Sequence, residues 1–512
     1  MSALALLLAL AAPSIHDLQV SNGSRPFAGD GPLLTTVSPN GDGLRDRAIV
    51  SFRLDRAATV RMDVLRTDTL HPGRATQTIW STSRRLRAGR RQLVWRPSPS
   101  TEPRTYVLRL QVGRRVYMNI PGKRRRAPVV RILGVEAGFP RRSYAPGEPA
   151  DLRITTDASS LRLQVFYYSS RAVRRGRDFK TSGTAMTSPV RIDWRNHRNA
   201  PGRLRVVRAG DWPSGLYFLR LSTSDGRIGY APFVVRRATP ESRVAVVLST
   251  NTWQAYNFWD ANGDGWGDSW YVSDASRRID LTRPFLDFGV PFRFRDWDLD
   301  FIAWLNRTGK QVDFLSDDDL DAFRSGDELA GAYDLVVFPG HAEYVTERAY
   351  DVVQRYRDLG GNLMFLSANN FFWQVRRQGR LLTKVRLWRN AGRPEASLVG
   401  VQYVASDYGG RQGAYVVNGS SWAFTGTGLA DGDRFGRYGF EIDARSPASP
   451  AGTQVLASIP NLMGTRSAEM TYYETPGGAK VFAAGALNFA ASIGDPAVAR
   501  LVENVWARLS RP

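Results

Sequence analysis

From about Asp17 to Val116, apolar residues recur at every second position: Val50, Phe52 and Leu54, then Val60, Met62 and Val64, then Tyr106, Leu108, Leu110 and Val112. Such alternation predicts half-buried strands, and a succession of them predicts a β-sandwich. The pattern returns between Pro128 and about Arg236, with Leu161, Leu163, Val165 and Tyr167. Its closing stretch, Tyr217-Phe218-Leu219-Arg220-Leu221, echoes Tyr106-Val107-Leu108-Arg109-Leu110. Two related sandwiches in tandem are the simplest account of the echo.

At Ala238-Thr239-Pro240 the period changes. The continuous apolar run 244–248 is expected of a parallel strand buried on both faces. A helix near 299–306, a strand at 312–315 and a second buried strand at 335–338 follow, the last closed by Pro339-Gly340. Thr346 then caps a helix with Ala349, Val352, Val353, Tyr356 and Leu359 at helical spacing, and Gly360-Gly361 ends it. Further buried strands are expected at 362–366 and 480–484, and Asp495-Pro496 starts a final helix. Residues 386–440, rich in Gly, Ser and aromatics, read as a β-rich insertion. The expected fold is multidomain: two tandem β-sandwich (Ig-like) modules at 17–118 and 127–237, then an α/β domain at 241–512. That domain should have a mostly parallel sheet in a class I amidotransferase-like layout.

Residues 1–12 form an apolar run too short to span a bilayer, with Ala9 and Ala11 suited to leader cleavage. We read 1–16 as a signal peptide, although it lacks the usual positive start, and expect a secreted or cell-surface protein. The charge is divided unevenly: residues 1–240 carry 42 Lys and Arg against 16 Asp and Glu, while the remainder is slightly acidic. No nucleic-acid motif accompanies this excess. It reads as an Arg-rich surface, with an anionic cell-envelope polymer as the partner it would attract. The chain has no cysteine. Thiolate catalysis of the amidotransferase kind and cysteine-ligated metals are thereby excluded.

Ser38-Pro39-Asn40-Gly41-Asp42-Gly43-Leu44-Arg45-Asp46 precedes the first clear strand. It resembles the opening of immunoglobulin-like repeats in secreted bacterial proteins and flagellar hook-capping proteins. Closely spaced oxygen side chains with glycine fit either a Ca²⁺ loop or an ion-free turn. Asp260, Asn262, Asp264, Gly265 and Asp268 have similar spacing, but Tyr271 stands where a calcium loop carries its bidentate Glu.

The candidate chemistry lies at strand ends of the last domain, where α/β sheets keep their sites. The run 335–338 delivers His341 and Glu343, the run 244–248 delivers 249–257, and the run 362–366 delivers Ser367-Ala368-Asn369-Asn370. Only four His occur in the chain, and His341 is the single one in this domain, so a multi-histidine metal site there is impossible.

Thr252-Trp253-Gln254-Ala255-Tyr256-Asn257, Tyr271, Arg283-Pro284-Phe285, Pro339-Gly340-His341-Ala342-Glu343-Tyr344, Gly360-Gly361-Asn362-Leu363, Asn369 and Trp373 together resemble the C-terminal domain of the N,N-dimethylformamidase large subunit. The resemblance covers roughly 241–512. It implies a mononuclear ferric ion held by Tyr256, Tyr271 and Glu343, with His341 and Asn369 beside the metal or the substrate. Phenolate and carboxylate are hard donors suited to such an ion, which would polarise an amide carbonyl and activate water. Glu469 is a further candidate for moving a proton to the departing amine. The resemblance raises a small partner subunit, which nothing in the sequence identifies. Departing from the family pattern, the link between the two tyrosines is longer than expected.

Two functions follow from these residues. One is a metal-dependent hydrolase of a small amide. The other is a non-enzymatic surface-binding protein that keeps the domain's shape and contacts anionic polymer through its Arg-rich modules.

Overall fold

In a computed structural model the structure describes residues 12–67, 76–170, 183–208, 211–271, 276–407 and 409–511. The chain is a mostly β, multidomain protein. Of the stretch read as a leader, 1–11 lie outside the described residues, and Ile15 already opens the strand Ile15–Ser21.

The first sandwich packs a three-stranded sheet (Ile15–Ser21, Ala48–Leu54, Gly89–Trp95) on a larger one holding Ala58–Arg66 and Thr105–Val112. The alternating residues Val50, Phe52, Val60, Met62, Leu108 and Leu110 interdigitate in one core. The strand Val129–Ile132, expected in the second module, pairs here with Leu34–Val37 and Thr105–Val112. Residues 118–128 are therefore a connection within the first sandwich.

The second sandwich has its own core around Leu152, Leu163, Val165 and Leu219. The echoed segments occupy equivalent strands, Thr105–Val112 and Gly215–Ser222. In each, the first tyrosine donates its hydroxyl back four residues, Tyr106 to the Glu102 carbonyl at 3.0 Å and Tyr217 to the Pro213 carbonyl at 2.7 Å. A tyrosine hydroxyl returned to the backbone in this way resembles the tyrosine corner of immunoglobulin-type sandwiches.

The third region is built on a nine-stranded sheet. Asp313–Ser316, Val244–Leu248, Leu335–Phe338, Asn362–Phe365 and Lys480–Ala483 run parallel to one another. From Lys480–Ala483 outward, through Arg466–Glu474, Gln454–Met463, Gln412–Val417 and Arg434–Gly439, every pairing is antiparallel. The expected mostly parallel sheet is thus evenly mixed. The five strands expected from the sequence are the parallel ones; the antiparallel half is made by strands between 412 and 474, whose pairing the local pattern did not reveal. The stretch read as an insertion supplies the two outermost strands.

The helices Leu299–Arg307 and Pro496–Leu509 cover one face, meeting through Trp304 and Trp506 with ring centroids 5.7 Å apart. Glu347–Asp358 covers the other, its first turn capped by the Thr346 hydroxyl, which accepts from the Ala349 N–H.

Asp63 organises the outer face of the first sandwich. Its buried carboxylate accepts from Arg61 at 2.9 Å, Arg109 at 2.8 Å and Ser81 at 2.7 Å. Burial alone would raise this carboxyl, but the Ser81, Arg109 and Arg61 hydrogen bonds outweigh it and hold it below the usual range. A group depressed on folding stabilises above its unfolded pKa, and that contribution is lost as pH falls through the folded value. Asp63→Asn should cost about 1.5–3 kcal/mol at pH 7. In urea denaturation the gap from the parent should shrink below about pH 4.

Candidate functional site

Three neighbouring parallel strands end side by side, and each hands over one polar segment. Val244–Leu248 leads into the short helix Thr250–Ala255 and then Tyr256. Leu335–Phe338 leads through Pro339-Gly340 to His341 and Glu343, and Asn362–Phe365 leads to Ser367–Asn370 by residues 367–370. All four strand residues at 335–338 and at 362–365 are buried, so the loops spring from a rigid base.

Tyr256 is 3% exposed. Its hydroxyl donates to Glu343 Oε2 and lies 2.9 Å from His341 Nε2. The other imidazole nitrogen, Nδ1, donates to the Ala368 carbonyl at 2.8 Å, which fixes the ring so that Nε2 faces the cluster. Nε2 sits 3.4 Å from Glu343 Oε2 and 3.5 Å from Glu441 Oε2. Burial works against a charged imidazole here, but Glu441 and Glu343 together override it and push His341 up to about 9. His341 is then an imidazolium flanked by two carboxylates. Tyr256 is held far above the ordinary phenol value, by burial first and then by the charges of Glu343 and Glu441.

Asn369 adopts the left-handed backbone (φ 53°), a conformation that asparagine tolerates better than most residues. That turn points its N–H at the Asp443 carboxylate, 2.8 and 2.9 Å from the two oxygens, and its side-chain Nδ2 donates to Glu441 Oε2 at 2.8 Å. Asn369 Oδ1 is buried without a hydrogen-bond partner among the described groups. Tyr271 lies edge-on against Tyr256, ring centroids 4.8 Å apart, and tilted against Phe292 at 5.1 Å. Burial pushes its phenol up to about 12 against the pull of Arg293, and Glu441 and Glu343 add to the rise. Phe292, Trp297 and Tyr344 wall the Tyr256 ring.

The structure therefore brings together Tyr256, Tyr271, His341, Glu343 and Asn369. It does not bring Glu469, whose carboxylate accepts from the Arg445 backbone N–H at 2.8 Å and pairs with the Arg445 guanidinium at 3.1 Å. The residue that sequence reasoning missed is Glu441, on the strand Glu441–Ala444. A signal for it existed: Glu441 and Asp443 stand two apart in a strand, and both are buried. Acids at alternate positions on an inward face require partners there.

The two Asn/Asp/Gly loops are closed by their own amides. Asp46 accepts from Gly41 and Gly43, and Asp260 accepts from Gly263 and Gly265 at 2.7 and 2.8 Å.

Comparison with known proteins gives the family. The N,N-dimethylformamidase beta subunit-like, C-terminal family matches residues 200–500. The chain belongs to that family. The N,N-dimethylformamidase beta subunits from Alcaligenes sp and Paracoccus aminophilus are 37% and 36% identical to it over 78 residues. The matched stretch is 15% of this chain and spans only 10% of the length of either relative. Among solved structures, the mmIFT52 N-terminal domain aligns at 13% identity with a TM-score of 0.28, covering 40% of this chain and 87% of that one. Escherichia coli alpha-2-macroglobulin aligns at 11% identity with a TM-score of 0.18, covering 45% of this chain and 21% of that one. At such scores neither likeness bears on function.

Gly340 joins the central strand to His341, and a methyl group on it would overlap the buried Asp298 carboxylate. Gly340→Ala should destabilise the protein by about 1–3 kcal/mol by forcing either Asp298 or the His341 segment aside. Chemical denaturation checks the stability, and the near-ultraviolet circular dichroism of the surrounding tyrosines and tryptophans should change with it.

Proposed function

We propose that this chain is a secreted or cell-surface, iron-dependent hydrolase that cleaves the C–N bond of a small amide. The observation that carries the reading is the convergence of the Tyr256 hydroxyl, the Glu343 carboxylate and His341 Nε2 at the end of the central strand. Family membership supports it. The parallel half of the sheet, with helices on both faces, supports a class I amidotransferase-like scaffold beneath the site.

The donor chemistry fits a hard, highly charged cation. His341, Glu343 and Glu441 meet here beside the Tyr256 phenol, so the donors on offer are mainly hard oxygens. A phenol kept this far above its ordinary value by burial, and then by neighbouring carboxylates, ionises only if a strong positive charge takes the place of its proton. Tyr256, Tyr271 and Glu343 would hold a mononuclear ferric ion. Bound there, it would polarise the amide carbonyl and make water nucleophilic at neutral pH.

The remaining work falls to this chain's own side chains. Glu441, held by Asn369 Nδ2, would accept a proton from the attacking water. His341, oriented by the Ala368 carbonyl, would return one to the departing nitrogen. Asn369 Oδ1, lacking a partner, would accept an N–H from the substrate or orient the water. The aromatic wall of Phe292 and Trp297 limits access by bulk water, which strengthens each of these interactions.

Purified protein should contain close to one iron per chain by elemental analysis. Tyr256→Phe and Glu343→Gln should each lose it, while Glu469→Gln should keep it. Amine release from a panel of formamides and short amides should follow iron content; iron-free active protein would sink the reading.

One observation favours a second reading, attachment to a linear anionic polymer. Arg53 stands directly opposite Arg90, Arg153 opposite Arg203 and Arg162 opposite Arg191 on antiparallel strands. Like charges so placed are destabilising, and among the described residues none of the six forms an ion pair. Arg53→Gln with Arg90→Gln should raise stability by about 0.2–1 kcal/mol and weaken salt-sensitive binding to heparin. Unchanged heparin affinity would remove this attachment surface.

A further inference from the structure

The link between the two tyrosines, residues 257–270, does not stay in its own domain. It leaves Tyr256, crosses to the first β-sandwich and comes back to Tyr271. On the way out it stiffens itself, Asp260 accepting from the Gly263 and Gly265 N–H groups and Asn262 Oδ1 from the Asp264 N–H at 2.7 Å.

At its tip the link is fastened to the sandwich by four hydrogen bonds. Asn119 Nδ2 donates to the Asp264 carbonyl at 3.1 Å, and the Gly122 N–H donates to Asp264 Oδ2 at 3.0 Å. The Thr67 hydroxyl donates to the Gly265 carbonyl at 2.8 Å, and Trp266 Nε1 donates to the Asn119 carbonyl at 3.1 Å. Gly265 has φ 90° and comes so close to Val107 that a side chain would collide with it. On the return, the Trp270 N–H donates to the Ala255 carbonyl at 2.8 Å and the Ser269 hydroxyl to the Tyr256 carbonyl at 3.0 Å. Tyr271 is thereby registered against Tyr256.

Asn119 is the pin of this arrangement. It is 1% exposed, and its side chain uses every donor and acceptor it has. Besides Asp264, Nδ2 donates to the Ala127 carbonyl at 3.0 Å, and Oδ1 accepts from the Arg126 and Ala127 N–H groups at 2.8 and 2.9 Å. The connection 118–128 is folded around one asparagine, and the same asparagine holds the tip of the tyrosine-bearing link.

We propose that the first β-sandwich is a working part of the site, with Asn119 as a positioning residue that orders the 257–271 link and thereby sets Tyr271 against Tyr256. The consequence for iron rests on the reading of Tyr271 as a ligand; the ordering of the link does not. Outer contacts that orient metal ligands are typically worth 10–100-fold in affinity.

The test uses the full chain, with two readouts and a matched control. In Asn119→Ala, amide hydrogen exchange across 259–271 should quicken at least tenfold, and iron affinity, measured by chelator competition, should fall 10–100-fold. Trp266→Phe, which removes one bond from the opposite side and leaves the sandwich intact, should shift both readouts the same way by less. It also serves if Asn119→Ala does not fold. Asn22→Ala is the control: Asn22 is also buried in the same sandwich, donates to the Thr36 carbonyl at 3.0 Å, and belongs to a different turn. It should leave exchange in the link and iron affinity as they are.

If the parent protein binds no iron, the metal reading fails and exchange alone decides the positioning role. Faster exchange in the link confined to Asn119→Ala and Trp266→Phe supports it. Unchanged exchange in both variants, or equal acceleration by Asn22→Ala, overturns it.

Discussion

Everything at this site follows from the difficulty of keeping Glu343 and Glu441 away from water at 5% and 2% exposure. Two carboxylates in so dry a place are tolerable only if their charge is met on all sides. His341 meets part of it as an imidazolium, Tyr256 lends its proton to Glu343, and the Asn369 amide holds Glu441. The surrounding backbone is shaped to allow this. Asn369 turns left-handed so that its N–H reaches Asp443, and the Asn370 side chain accepts from the Ala342 N–H at 3.2 Å, tying two loops together. A cluster so interlocked has few alternative arrangements, and any change to one member is felt by its neighbours.

The parts of this cluster that were legible in the sequence are those that follow a buried strand directly. Tyr256, His341, Glu343 and Asn369 each come within a few residues of a continuous apolar run, so strand, turn and polar loop could be read in order. Glu441 could not be read this way. It arrives from the antiparallel half of the region, on a strand paired with Gln402–Ser406, and the pairing of distant strands is not written in local periodicity. Glu469 misled for a related reason. Its neighbours Ala468 and Met470 are fully buried, and alternation turns the intervening carboxylate to the opposite side, where Arg445 receives it. The strand Val129–Ile132 belongs to the first sandwich and not the second because it pairs with Leu34–Val37 and Thr105–Val112, a pairing that local alternation does not encode.

The sequence offered the two sandwiches no catalytic residue, since β-sandwich alternation carries no chemistry of its own. What it does carry is rigidity. The returned hydroxyls of Tyr106 and Tyr217 brace the ends of equivalent strands, and the buried Arg45 guanidinium spans the modules, lying 3.3 Å from the Arg198 carbonyl and 3.8 Å from Asp157. A neighbouring domain gains a fixed surface from such a frame at little entropic cost.

The order of strands in the nine-stranded sheet also constrains how the protein is made. Lys480–Ala483 lies between Asn362–Phe365 and Arg466–Glu474, so it joins the parallel half to the antiparallel half. A ribosome must release this late segment before either half can close, and until then the edge of Asn362–Phe365 is an unpaired template for other chains. While the residues from 366 to 483 are being made, the nascent protein therefore carries an open central seam, a period in which a holding chaperone would have its greatest effect.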